Sequence, residues 1–182
     1  MNFNNYTQKS IEAVQSAQQL AVQNSHQQME QVHLLLALLR QEGGLTPQLL
    51  KKMDVTVESL EAAAEAELRK IPGVRTSQAM DSFYVSADVQ AAFNAAEQQA
   101  QTMKDEYVSV EHLFLALLKY ASREMKAFFQ EMGISREGFL QALSSVRGNQ
   151  RVTSDNPEAT YDTLNKYGQD LVERARDQKL DP

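Results

Sequence analysis

The segment His33-Leu34-Leu35-Leu36-Ala37-Leu38-Leu39 returns 79 residues later as His112-Leu113-Phe114-Leu115-Ala116-Leu117-Leu118. Two near-copies of one apolar word in a chain of 182 residues imply a duplicated unit, which restricts the fold more than any other feature of the sequence. With one offset of 79 and no gap, residues 7–65 fall on 86–144, placing Ala13 on Ala92, Ala17 on Ala96, Ala21 on Ala100, Met53 on Met132 and Glu58 on Glu137. Candidate helix caps coincide too, Thr7 with Ser86 and Thr56 with Ser135.

Each unit reads as four helices. In the first, Thr7 caps a segment running to about residue 24 whose Ser10, Val14, Ala17 and Ala21 share one face. Val32, Leu35, Leu36 and Leu39 then recur at helical spacing while Leu34 and Leu38 fill the other side, so this helix is apolar almost all round and belongs at the centre of its unit. Gly43-Gly44 ends it, Thr46-Pro47 is expected to open a short third helix, and Thr56 a fourth with Val57, Leu60, Ala64 and Leu68 inward. The second unit repeats the order: Ser86 before a stripe of Val89, Phe93, Ala96, Ala100 and Met103, Ser109 before the core word, Ser122 before Phe128, Phe129 and Met132, and Ser135 before Phe139 and Leu143.

The fold class is therefore all-α, with two pseudo-symmetric four-helix repeats packed as one domain over residues 1–148. Repeat 1 covers about 7–72, a connector 73–85, and repeat 2 about 86–147. Residues 148–157 are polar and aperiodic and predict a mobile linker; helical signs return at Leu164, Leu171 and Val172, with too few apolar positions to fold alone.

A net charge of -6 with no Lys/Arg cluster argues against nucleic acid as a partner. Without cysteine, disulfides, thiolate metal sites and a cysteine nucleophile are excluded, and an intracellular address is expected. The polar start Met1-Asn2-Phe3-Asn4-Asn5-Tyr6 is not a signal peptide, and the apolar run at residues 34–39 falls far short of the ~20 residues of a membrane span. A cytoplasmic chain without membrane contact is the expectation.

The two-fold repeat, together with Lys166-Tyr167-Gly168-Gln169-Asp170-Leu171 and Lys179-Leu180-Asp181-Pro182, resembles the N-terminal domain and following linker of the disaggregases of the Clp family of AAA+ unfoldases. The resemblance covers the whole chain. The repeat alone fits any Clp N-domain, and the two C-terminal words point to the disaggregase branch; Gln178 stands where a Gly is usual. By this resemblance the chain stops where nucleotide-binding modules begin. The 182 residues contain no Gly-x-x-x-x-Gly-Lys-Ser/Thr, so no ATP hydrolysis and no cofactor are expected here, ATP and Mg²⁺ belonging to the full-length protein.

What the resemblance implies is recruitment: a monomeric N-domain that captures unfolded or aggregated polypeptide for a hexameric motor working with a DnaK-type chaperone system. The alternative is an adaptor-docking or structural module without a peptide site. The family's substrate-handling residues, a Thr near the N-terminus and an acidic pair in the second repeat, match Thr7, Asp105 and Glu111; Tyr107, Val108 and Phe93 are candidates for lining an apolar groove. Each has a structural reading beside the functional one. Thr7 is an N-cap, and carboxylates near helix N-termini are favoured by the dipole; Glu111 is functional only by the resemblance. His33 and His112 hold equal places at the start of the core helices, where a half-buried imidazole satisfied by a carbonyl suffices. Glu30-Gln31-Val32-His33 is also the Glu-x-x-His word of four-helix di-iron sites, which need it twice, and the second copy reads Ser109-Val110-Glu111-His112. His26 reads as part of a polar turn.

Overall fold

The computed structural model describes residues 2–74 and 84–158. Most of the expected connector and the segment 161–178 lie outside the described residues. The rest is all-α, with α1 (Gln8–Gln23), α2 (Gln31–Leu39), α3 (Leu45–Lys52), α4 (Val57–Lys70), α5 (Ala87–Thr102), α6 (Val110–Lys119), α7 (Arg123–Glu131) and α8 (Arg136–Arg147).

Local chemistry explains the starts of these helices. The hydroxyls of Thr7, Ser86, Ser122 and Ser135 accept the amides of Ser10, Val89, Met125 and Gly138, satisfying donors that a helix cannot satisfy within itself. Thr56 stands at the N-cap of α4 without a side-chain capping bond. Thr46 does not cap α3: the cap is Gly44, and Thr46 is buried within the first turn. Pro47 is tolerated there because an amide in the first turn has no intrahelical partner to lose.

The backbone carries the duplication as strictly as the sequence. The left-handed residues Ser25 (φ 56°) and Lys104 (φ 59°) are 79 apart, and so are Asp54 (φ 60°) and Gly133 (φ 70°). Both pairs terminate equivalent helices, at turns where an L side chain is strained and only Gly is free of it.

All nine residues of α2 are buried, as are the first eight of α6. The core around them differs in one systematic way. Where repeat 1 has Leu35, Leu50 and Leu60, repeat 2 has Phe114, Phe129 and Phe139. Phe114 stacks on Phe139 with centroids 4.6 Å apart and meets Phe129 edge-on at 6.1 Å.

The repeats interlock through the residues that precede their helices. Thr7 N donates to Val108 O (2.9 Å) and Val108 N to Asn5 O (2.8 Å); in the other half Met29 N donates to Tyr84 O (2.8 Å) and Ser86 N to Met29 O (2.9 Å). Each repeat's leading strand-like residue thus pairs, in parallel, with the residue before the other repeat's core helix, Tyr6 with Val108 and Met29 with Val85. In keeping with a two-fold, α3 packs on α8 as α7 packs on α4. This crossing places the start of α1 against the start of α6.

The start of the expected mobile linker is corrected by the structure. Residues 151–158 lie as a strap across this junction, irregular to residue 156 and helical at Pro157 and Glu158, with Val152 sealed from solvent and Glu158 4% exposed. An irregular segment fixed by a few spaced contacts has no helical or alternating period, so the sequence pattern carried no sign of it.

Candidate functional site

The crossing of the two repeats sets Thr7 beside Val108 and Val110, at the N-terminus of α6. Thr7 is fully buried: its Oγ1 accepts the Ser10 amide (3.2 Å) as an N-cap and donates to Glu158 Oε2 (2.7 Å). The same oxygen of Glu158 accepts the Val110 amide (3.2 Å), one of the free donors of α6. One hydroxyl therefore caps α1 and ties residue 158 to it.

Asp105 is reached through His112. The Ser109 amide donates to His112 Nδ1 (2.9 Å), so in the neutral ring the proton sits on Nε2, which donates to Asp105 Oδ2 at 2.8 Å. Burial alone would push the Asp105 carboxyl up, but the His112, Val152 and Arg147 donors outweigh it and hold Asp105 below the usual carboxylate range. In repeat 1 the same histidine geometry ends differently. The Glu30 amide donates to His33 Nδ1 (2.8 Å) and His33 Nε2 faces His26 Nδ1 (2.8 Å), His26 being the positional equivalent of Asp105. Burial and the neighbouring His26 lower His33 to about 4, so it stays neutral. The histidines are fully buried, with an amide and not a carbonyl at Nδ1. His26 is likewise no surface turn residue but buried. The Glu-x-x-His word is thus part of a helix cap, and among the described residues no group of three His, Asp or Glu stands together as a metal site.

Glu111 is also fully buried, although it is charged and on a helix. Arg147 from α8 bonds Asp105 through Nη2, lies 3.7 Å from Glu111 Oε2 through Nη1, and donates through Nε to Gln150 O (2.8 Å). At the equivalent places repeat 1 has Val32 and Leu68, an apolar pair. An ion pair has replaced a hydrophobic contact in one repeat only, which is the clearest chemical asymmetry in the molecule.

The strap completes the site. Val152 N donates to Asp105 Oδ1 (3.0 Å), Glu106 N to Val152 O (2.8 Å) and Gln8 N to Asp155 O (2.7 Å). Arg151 adds a bond from Nη1 to Met103 O (2.6 Å).

The structure brings Thr7, Asp105 and Glu111 into one cluster, with Tyr107 half-buried at its rim. Val108 and Phe93 do not line an open groove as expected. Val108 is 0% and Phe93 1% exposed, the latter packed edge-on against Phe3 (5.8 Å) and Tyr6 (6.4 Å). Val108 belongs to the bridge with Tyr6 and Phe93 to the buried stripe of α5, which are core positions. Sequence reasoning missed His26, Arg147 and Glu158; extending the 79-residue offset would have flagged Arg147, which falls on the apolar Leu68.

The comparisons with known proteins agree with this architecture. Residues 5–132 match the family model of the Clp repeat (R) N-terminal domain. The chaperone protein ClpB of Bacillus cereus is 44% identical over 183 residues, covering 100% of this chain and 21% of the relative. The chain therefore spans about a fifth of the length of the curated relatives it matches. The crystal structure of the Hsp104 N-terminal domain from Candida albicans superposes with a TM-score of 0.74 at 26% identity, covering 85% of this chain and 99% of that one. A complex of a ClpV N-domain with a VipB peptide shares the fold at TM-score 0.63 and 19% identity, covering 86% and 91%. Among the described residues no helix is long and apolar enough to cross a membrane. With its paired core helices, crossed leading segments and matched family model, the chain belongs to the Clp N-terminal repeat domain family.

Proposed function

We propose that this domain recruits unfolded or aggregated polypeptide through the Thr7–Asp105–Glu111 cluster and passes it to the hexameric ATP-driven motor of a cytoplasmic disaggregase, working with a DnaK-type chaperone system. The observation that carries this reading is that the cluster already holds a stretch of irregular main chain. Asp105 Oδ1 and the amides of Glu106 and Gln8 bond the backbone of residues 152 and 155, contacts that do not depend on the sequence of the occupant. A site for many clients needs such main-chain recognition. The ClpV N-domain with its VipB peptide is an instance of this fold in complex with a peptide. Affinity per domain is weak, and six copies around one aggregate supply avidity.

A second reading, adaptor docking, is favoured by a separate groove between α5, α6 and α7, where Leu118, Phe129 and Ile134 are flanked by Lys119, Lys126 and Arg136. Its occupant would be an acidic segment with an apolar face.

The two are separated by a photo-crosslinker. With p-benzoylphenylalanine in place of Tyr107 or, in a second protein, of the exposed Lys126 that lines the groove, a labelled, reduced and carboxymethylated lysozyme is expected to form adducts mainly from position 107. Equal yields from both positions would contradict recruitment at the cluster.

A further inference from the structure

Residues 151–158 are themselves a polypeptide seated on the site, irregular to residue 156 and turning helical at Pro157 and Glu158. Val152 fills the apolar part and the Glu158 carboxylate takes the two donors, Thr7 Oγ1 and Val110 N. The fit has one flaw. Glu158 is buried beside the buried Glu111, and among the described residues Oε1 of Glu158 and both oxygens of Glu111 find no hydrogen-bond partner. Arg147, the cation 3.7 Å from Glu111, is shared with Asp105. A second buried carboxylate beside Glu111, whose guanidinium neighbour is already shared with Asp105, makes a seat in which a negative occupant is disfavoured.

We propose that residues 151–158 occupy the polypeptide site in cis as a weak lock. The site takes in trans a segment that follows the same path, irregular at first and turning helical at its end, with a β-branched apolar residue followed, six positions later, by an uncharged hydrogen-bond acceptor. The proposal rests on the recruiting reading and names its substrate class. A Gln side chain at the carboxylate's place keeps the bonds from Thr7 and Val110 and gives Glu111 the donor it lacks. A client of that kind displaces the strap, because its own terminal contact carries no charge repulsion. Apparent affinity is the intrinsic affinity reduced by the fraction of domains in which the strap is open.

The lock depends on pH in a definite direction. Burial and the Glu111 charge push docked Glu158 up to about 7, against the bonds from Thr7 and Val110, while a free carboxyl titrates near ~4.3. The docked strap therefore binds the extra proton: docking is strongest below ~4.3 and weakens as pH rises to about 7. The groups that face it are Glu111 on α6 and, through Glu111, Arg147 on α8, with Asp105 and His112 completing the chain of pairs.

The test uses the full chain and fluorescence anisotropy with labelled, carboxymethylated lysozyme. Val152→Asp ejects the strap and is expected to tighten binding roughly tenfold. Glu158→Gln removes the repulsion, holds the strap and weakens binding several-fold, roughly the scale of one buried hydrogen bond. It also flattens the loss of affinity that the parent shows between pH 8 and pH 5.5. A merely structural role would not move the two variants in opposite directions. Against misfolding of Val152→Asp, the pair Gln8→Cys and Asp155→Cys provides a reversible control in a chain without native cysteine. These side chains already meet at 3.0 Å. Oxidation should suppress binding and reduction restore it. In the Val152→Asp protein, a synthetic 151–158 peptide with Gln at its last position should compete better than the natural one. Equal binding by parent, Val152→Asp and oxidised forms overturns the lock and leaves recruitment standing; no binding by any form overturns both.

Discussion

Replacing Arg147 by Ala is expected to lower the free energy of unfolding by about 3–5 kcal/mol, the cost of leaving buried charge without its partner. Arg147 is 4% exposed and serves Asp105 and Glu111, whose side chains are fully buried. Asp105 keeps His112 and the Val152 amide, but Glu111 is left beside Glu158 with no cation. The melting temperature should fall by roughly 10 °C. Repeat 1 supplies the complementary test, because it packs Val32 and Leu68 at the same two places. The double change Glu111→Val with Arg147→Leu should therefore cost less than Arg147→Ala alone, as when a buried pair is exchanged for apolar groups. A thermal melt in which Arg147→Ala costs under about 1 kcal/mol would mean that the cluster is hydrated in solution.

The second large effect belongs to the core. Phe114→Ala removes a fully buried ring that contacts Phe129 and Phe139, and should cost about 3–5 kcal/mol. Its equivalent Leu35→Ala, which deletes fewer atoms at an equally sealed position, should fall in the range of about 2–5 kcal/mol. Urea denaturation measures both. A Phe114→Ala protein as stable as the parent would show that repeat 2 does not depend on its aromatic stack.

These two residues mark what was legible in the sequence. Phe114 and Leu35 stand in a word printed twice, and the offset of 79 carried the helix order, the caps at Thr7, Ser86, Ser122 and Ser135 and the burial of α2 and α6. Periodicity reports what repeats along one element. Arg147, Glu111 and Asp105 belong to a cluster drawn from two helices and a loop, so only a three-dimensional placement joins them. The strap escaped for the same reason: Val152 and Glu158 are anchored by partners 47 and 151 residues away, at Asp105 and Thr7. Thr46 misled because a hydroxyl before a proline is a fair cap signal, and here Gly44 starts the helix two residues sooner. The fold could thus be read from a repeat, while the site lies where the repeats differ.

That asymmetry is the core of the proposed function, since residues 151–158 are held where Glu111 and Arg147 stand in place of Val32 and Leu68. The direct measurement is an amide chemical-shift titration of the full chain with unlabelled carboxymethylated lysozyme. The account predicts shifts concentrated at Gln8, Glu106, Val110 and Val152, the amides that bond or belong to the strap. Shifts confined to the Leu118–Phe129–Ile134 groove, or none at all, would contradict it.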